Sequence, residues 1–257
     1  MGYVIALGGK GGVGKTTLAG LLVRYMIRNG MTPILAVDAD SNSNLNDVLG
    51  VAMEETLSDA REMMKTDVPN GMTKDIFMEM KVEQALVEGK GFDLIAMGRP
   101  EGSGCYCAAN NLLSSLMDRL IKNYPYMVVD NEAGMEHFSR LTQKDINLLF
   151  VVSDPSRRSL SAACRIHGLV KALPIRVEKI VLVVNQVKEA PASWHQEVLD
   201  VFGKDNIAVL PDDPMLEQFD AEGKPTSTLP DDSLIVRASV TLFDGLFNGI
   251  KGKGGRE

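Results

Sequence analysis

Ten residues near the N-terminus, Gly8-Gly9-Lys10-Gly11-Gly12-Val13-Gly14-Lys15-Thr16-Thr17, constrain this 257-residue chain more than any other segment. From Gly9 to Thr16 they satisfy G-x-x-x-x-G-K-[ST]. They lie between a short apolar run at 3–7 and a run with helical spacing at 17–29. That is the strand–loop–helix setting in which the pattern cradles phosphate. Glycines let the backbone curl around an anion, with amides converging on it at a helix N-terminus. Lys15 brings charge to the β- and γ-phosphates, and the Thr16 hydroxyl suits a magnesium ion. Nucleotide contacts are therefore expected from Gly9, Lys10, Gly11, Gly12, Val13, Gly14, Lys15, Thr16 and Thr17.

Downstream, short runs rich in Val, Ile and Leu at 33–37, 92–97, 126–129, 148–152, 179–184 and 207–210 alternate with amphipathic segments at 110–123, 159–173, 193–202 and 232–250. Several of the short runs lack polar alternation, as strands buried on both faces do. The alternation predicts an α/β fold: a single-domain P-loop NTPase over 1–257, with a mainly parallel sheet of seven to eight strands flanked by helices. The glycine- and lysine-rich stretch 249–257 is expected to fray. No apolar run is long enough to span a membrane. The N-terminus shows no secretory signal pattern. A net charge of -7 argues against a general nucleic-acid coat. Three cysteines make no disulfide framework, so a reducing, cytoplasmic setting is expected.

Two acidic sites complete the expected pocket. The strand at 33–37 leads into Asp38-Ala39-Asp40, at the carboxyl edge where open α/β sheets bind ligands. The run Tyr126-Met127-Val128-Val129-Asp130 has the Walker B pattern, in which Asp130 holds magnesium through its water shell. Gly134 is placed to offer its N–H to a γ-phosphate, making 131–135 a switch segment.

Lys10 gives the loop the form K-G-G-V-G-K-T, which resembles the deviant Walker A of the MinD, ParA and nitrogenase-iron-protein group. The resemblance implies an ATP-dependent homodimer in which Lys10 reaches the partner's nucleotide. It also implies a catalytic set of Lys10, Lys15, Asp38, Asp40 and Asp130, with Asp38 near magnesium and Asp40 near the attacking water. Asn185, at the end of a strand, and the loop at Pro211 and Asp213 match that group's adenine-side positions. ATP or ADP with magnesium is the implied cofactor.

Cys105 and Cys107 stand one residue apart after the strand at 92–97. C-x-C is too short for a relaxed disulfide, and two thiolates alone cannot complete a tetrahedral site. Two copies across a two-fold axis supply four. The run G-R-P-E-G-S-G-C-Y-C-A-A-N-N-L-L at 98–113, together with D-N-E-A-G-M-E-H at 130–137, resembles the CooC family of ATPases, which support nickel insertion into carbon monoxide dehydrogenase. The resemblance implies an intersubunit metal site at Cys105 and Cys107, holding nickel or zinc. It also implies a client that is carbon monoxide dehydrogenase or the related acetyl-CoA synthase, with no nucleic acid and no stable membrane association. Two other readings stay open: a MinD/ParA-type positioning ATPase with 233–253 as the candidate membrane helix, and an iron–sulfur electron donor. The second fails at its second ligand, because the segment 130–135 contains no cysteine. Cys164, inside the amphipathic run 159–173, reads as core, and His137, His167 and His195 lack ligand spacing with one another.

Overall fold

A computed structural model describes residues 2–99, 119–131, 145–173, 175–189 and 195–248. One eight-stranded sheet organises them. In chain order its strands are β1 (Tyr3–Gly9), β2 (Ile34–Ala39), β3 (Val87–Glu88), β4 (Phe92–Ala96), β5 (Tyr126–Asn131), β6 (Asp145–Ser153), β7 (Arg176–Val187) and β8 (Ile207–Pro211). Their spatial order is β3-β4-β2-β5-β1-β6-β7-β8. All pairings are parallel except β3 with β4.

The absence of polar alternation has the physical cause expected of it. β2 is buried along its whole length, and β1 from Val4 onward, because apolar layers cover both faces of the sheet. On one face α1 (Lys15–Arg28) and α8 (Leu234–Phe247) pack against the central strands. Tyr25 of α1 and Phe243 of α8 bring their rings to 5.2 Å, and Phe243 meets Phe150 of β6 at 6.1 Å. α1 is further tied to the segment before α8: Arg24 donates to the Leu229 carbonyl at 2.6 Å and pairs, with Arg28, to Asp231. On the opposite face lie α3 (Leu57–Thr66), α4 (Lys74–Gln84), α5 (Arg157–Ala172) and α6 (Gln196–Phe202). Two short helices, α2 (Leu45–Leu49) and α7 (Pro214–Ala221), follow the ends of β2 and β8.

Several boundaries differ from the sequence reading. The first helix begins at Lys15 rather than residue 17, and the last runs Leu234–Phe247 rather than 232–250. β2 and β5 run on to Ala39 and Asn131, so Asp38 and Asp130 are part of the strands, while Asp40 follows β2. The helices α3 and α4 and the antiparallel β3 were not expected. The expected helix at 110–123 falls mostly outside the described residues, as do 193–194 and the stretch 249–257.

Candidate nucleotide site

β1 delivers the phosphate loop between two neighbours. Its carboxyl half pairs with β5 on one side, Leu7 opposite Asp130, and with β6 on the other, Gly9 opposite Val152. A Cβ on Gly9 would stand 2.2 Å from the Val152 carbonyl oxygen, so no larger residue fits that crossing. Gly14, at the N-cap of α1, has φ +88° and would place a Cβ 2.3 Å from Asn185 Nδ2. Only glycine combines that backbone with that proximity.

Lys15 is the first residue of α1. Its side chain is buried, and Nζ donates to the Lys10 carbonyl at 3.2 Å. The ammonium thus lies under the loop, among amides that have no partner of their own within the helix. Lys10 itself is exposed.

The two expected carboxylates face each other across a strand pair, Asp38 opposite Asp130 in the β2–β5 register. Their environments differ. Asp38 accepts from the Asp40 amide at 3.0 Å and the Leu45 amide at 2.9 Å, which ties the β2 end to the start of α2. Burial still raises its pKa, with those amides working in the opposite direction. Asp40 accepts from the Asn42 amide at 2.9 Å, a local turn ahead of α2, whose N-cap is Asn44. Asp130 is 1% exposed and both of its oxygens are without a hydrogen-bond partner. Burial pushes its pKa up to about 7. The Thr16 hydroxyl faces it without closing a hydrogen bond and, with Lys15, works against the shift, while Asp38 adds to it.

A buried carboxylate with two free oxygens, beside a hydroxyl and a second carboxylate, is a donor set suited to a hard divalent cation. Asp130, Thr16 and Asp38 would hold magnesium. Bound there, the ion would neutralise charge on nucleotide phosphates.

The adenine-side expectations meet a more structural picture. Asn185, buried at the end of β7, donates through Nδ2 to the Val13 carbonyl at 3.0 Å, and its Oδ1 has no partner. Gln186 beside it, with φ +59°, reaches the Gly12 carbonyl at 3.4 Å. The end of β7 thus braces the phosphate loop, a role the sequence reading missed. Pro211 ends β8, and Asp213 follows it. The Asp213 carboxylate caps α7 through the Met215 amide at 2.9 Å and accepts from Ser233 Oγ at 2.5 Å and the Ile235 amide at 2.9 Å. Those donors outweigh burial and hold its pKa below the usual carboxylate range. Its side chain is committed to two helix starts, leaving the backbone as its route to a base.

Cys105, Cys107 and Gly134 lie outside the described residues. Among the described residues no group of three or more His, Cys, Asp or Glu side chains is arranged to hold a metal ion. Cys164 is buried on α5, its thiol pushed up by burial. His167 lies against Phe202, ring centroids 5.0 Å apart, with its pKa lowered by burial. Cys164 fits the core role expected of it.

Comparison with known proteins agrees with this geometry. Residues 4–226 match the family model described as the CobQ/CobB/MinD/ParA nucleotide binding domain. An uncharacterized ATP-binding protein of Methanocaldococcus jannaschii is 38% identical over 95% of this chain and 98% of its own length. The carbon monoxide dehydrogenase accessory protein CooC of Rhodospirillum rubrum is 35% identical over 67% of this chain and 70% of its own. Among solved structures, the septum site-determining protein MinD of Pyrococcus horikoshii, complexed with Mg-ADP, superposes with a TM-score of 0.69. It covers 98% of this chain and 100% of that one, at 21% identity, a likeness of fold. A phosphate loop braced by β6 and β7, a buried free carboxylate on β5 and a family match across most of the chain agree: this protein belongs to the CobQ/CobB/MinD/ParA nucleotide-binding family.

Proposed function

We propose that the chain is a magnesium-dependent ATPase that dimerises on ATP and supports nickel insertion into carbon monoxide dehydrogenase or the related acetyl-CoA synthase in the cytoplasm. The observation that carries the ATPase reading is Asp130: a fully buried carboxylate with no partner, opposite Asp38 and facing Thr16 and Lys15. In this reading Lys15 and the amides of Gly11–Thr17 hold the phosphates, and Gly134 adds its N–H to the γ-phosphate. Asp40 orients the attacking water, and Lys10 of one protomer neutralises charge on the other's nucleotide. The unpartnered Oδ1 of Asn185 favours adenine, whose exocyclic amino group donates, over guanine, which presents a carbonyl there. Pro211 and the Asp213 backbone line the same side.

The client half of the reading rests on the C-x-C run at 98–113 and on the 35% identity to the Rhodospirillum rubrum accessory protein. Cys105 and Cys107 from two protomers would carry nickel, or zinc, as cargo. A MinD-type positioning ATPase is the second reading, favoured by the fold likeness to MinD. Against its membrane arm, α8 turns Ile235, Val236, Phe243 and Phe247 into the core and leaves only Leu234 and Val240 exposed among its large apolar residues. The deciding experiment measures oligomer mass and bound metal with and without ATP and nickel. The parent should dimerise on ATP and carry about one metal per dimer, and the Cys105→Ser/Cys107→Ser double variant should lose the metal while keeping nucleotide binding. Full metal retained in the double variant, or ATP-dependent pelleting with anionic liposomes, would remove the client reading.

A further inference from the structure

The last two residues of β5 leave acceptors without donors on opposite faces of the sheet. Asp130 faces the phosphate loop; Asn131, next along the strand, points to the other face. Asn131 is 0% exposed. Its Nδ2 donates to the Leu7 carbonyl of β1 at 2.9 Å, with a longer contact to the Val129 carbonyl at 3.4 Å. Those carbonyls fix which end of the amide is nitrogen, because an oxygen turned toward them would meet two acceptors. Oδ1 therefore points away from β1, and it has no partner. Its register neighbour on β2 is Ala39, between the two aspartates of that strand end.

Packing does not explain an amide at this position. Met127 and Val129, the preceding residues on the same face of β5, belong to the apolar core, as do Val37 and Ala39 on β2. A leucine is close to isosteric and would leave no buried acceptor without a donor, a state that destabilises a fold. What the amide adds is a tie across the β1–β5 ladder, two residues before Gly9 and one residue after Asp130. Misplaced charge and hydrogen-bond groups in a phosphoryl-transfer site are the usual way such a site loses rate.

We propose that Asn131 is a positioning residue for the nucleotide site. Its Nδ2 locks the end of β5, and with it Asp130, to the strand that feeds the phosphate loop. The inference rests on the ATPase reading above, so its test needs an arm that does not depend on turnover.

Asn131→Leu and Asn131→Asp variants of the full chain provide that test. Three quantities are compared with the parent: the melting temperature without ligand, the affinity for ADP with and without magnesium, and steady-state ATP turnover. Asn131→Leu should melt no lower than the parent and bind ADP without magnesium as the parent does. The gain in affinity that magnesium confers, and kcat, should each fall about 10- to 100-fold, the range typical of groups that orient a metal's ligands. Asn131→Asp, which turns an oxygen toward Leu7, should lose the same magnesium effect and melt lower. A parental magnesium effect in Asn131→Leu would overturn the proposal. So would a lower melting point with a parallel loss of magnesium-free ADP binding, because that pattern marks a purely structural residue. If the parent itself fails to turn over ATP, the ATPase reading falls, and the magnesium arm still decides the role of Asn131.

Discussion

Replacing Asp130 with Asn tests the physics of the site most directly, through stability and without any ligand. The Asp130 pKa rises from an ordinary 3.8 to about 7 in the fold. The folded state therefore holds this proton more tightly than the unfolded chain does. Below pH 4 both states are protonated and the group is neutral to stability. Between pH 4 and 7 the unfolded chain ionises and the folded one resists, so stability falls; above 7 the loss is complete. At about 1.4 kcal/mol per pKa unit, the loss is roughly 2 kcal/mol at pH 5 and roughly 4 kcal/mol at pH 8. Asn does not titrate, so Asp130→Asn removes the pH-dependent part. Whatever the buried amide itself costs is the same at every pH and cancels when two pH values are compared. The stability of Asp130→Asn relative to the parent should rise by about 2–3 kcal/mol from pH 5 to pH 8. For a domain of this size that is a relative gain in melting temperature of about 5–10 °C. Asp38, also raised in pKa, has one fewer like charge beside it in the variant, which acts in the same direction. The assay is calorimetric unfolding in chelator, without nucleotide, at pH 5, 6, 7 and 8. A difference between variant and parent that stays flat across that range would refute the claim that burial holds a proton on Asp130.

Two further substitutions test the loop and its supports. Gly14→Ala forces an alanine into φ +88° and a methyl to 2.3 Å from Asn185 Nδ2. The backbone strain alone is about 1–2 kcal/mol, so ADP affinity by calorimetric titration should fall tenfold or more; unchanged affinity would show that the brace from β7 is dispensable. Asp213→Ala removes the acceptor for the Met215 and Ile235 amides and Ser233. It should cost about 2–4 kcal/mol in urea unfolding at pH 7. Because the Asp213 pKa is lowered in the fold, its contribution is present above the ordinary carboxylate value and lost as pH falls through the folded one. The gap between variant and parent should therefore close in acid, and a pH-independent gap would assign the loss to something other than the carboxylate.

The phosphate loop was legible because its information is local: glycines, a lysine and a threonine at fixed spacing between a strand and a helix. The strand ends were harder for the same reason. Asp38-Ala39 and Asp130-Asn131 are polar or small, so a search for apolar runs stops before them, yet the ladder continues because neighbouring strands pair with their backbones. Lys15 and Thr16 were read as loop residues because a phosphate-binding lysine does not look like a helix start, although Gly14 in a left-handed conformation makes it one. The helices α3 and α4 were missed in a stretch rich in charge and methionine. A signal was present there, since Thr56-x-x-Asp59 forms a capping box and Thr73 caps the second helix. Leu57, Ala60 and Met64 then repeat at helical spacing. The second tasks of Asn185 and Asp213 were not legible. They depend on which carbonyls and amides the fold brings to those side chains from as far as 172 residues away.

A site found by motif can also be found by asking where the fold leaves polar atoms without partners. Of the six buried side-chain nitrogen and oxygen atoms in that state among the described residues, four belong to Asp130, Asn131 and Asn185. All four are oxygens at the carboxyl ends of strands that flank or brace the phosphate loop. Orphaned acceptors are destabilising unless something supplies donors or positive charge. On the face of the phosphate loop their chemistry therefore says what must arrive: a cation at Asp130 and a hydrogen-bond donor at Asn185. Phosphate cannot satisfy any of them, being an acceptor itself; it belongs to the loop, where Lys15 and the first amides of α1 are donors. The division of the pocket into donors on the loop and free acceptors at the strand ends matches a ligand that is anionic at one end, carries an amino group at the other and comes with a divalent ion. Magnesium–ATP has that polarity, and the match is reached from unpaired atoms alone, independently of the G-x-x-x-x-G-K-T spacing.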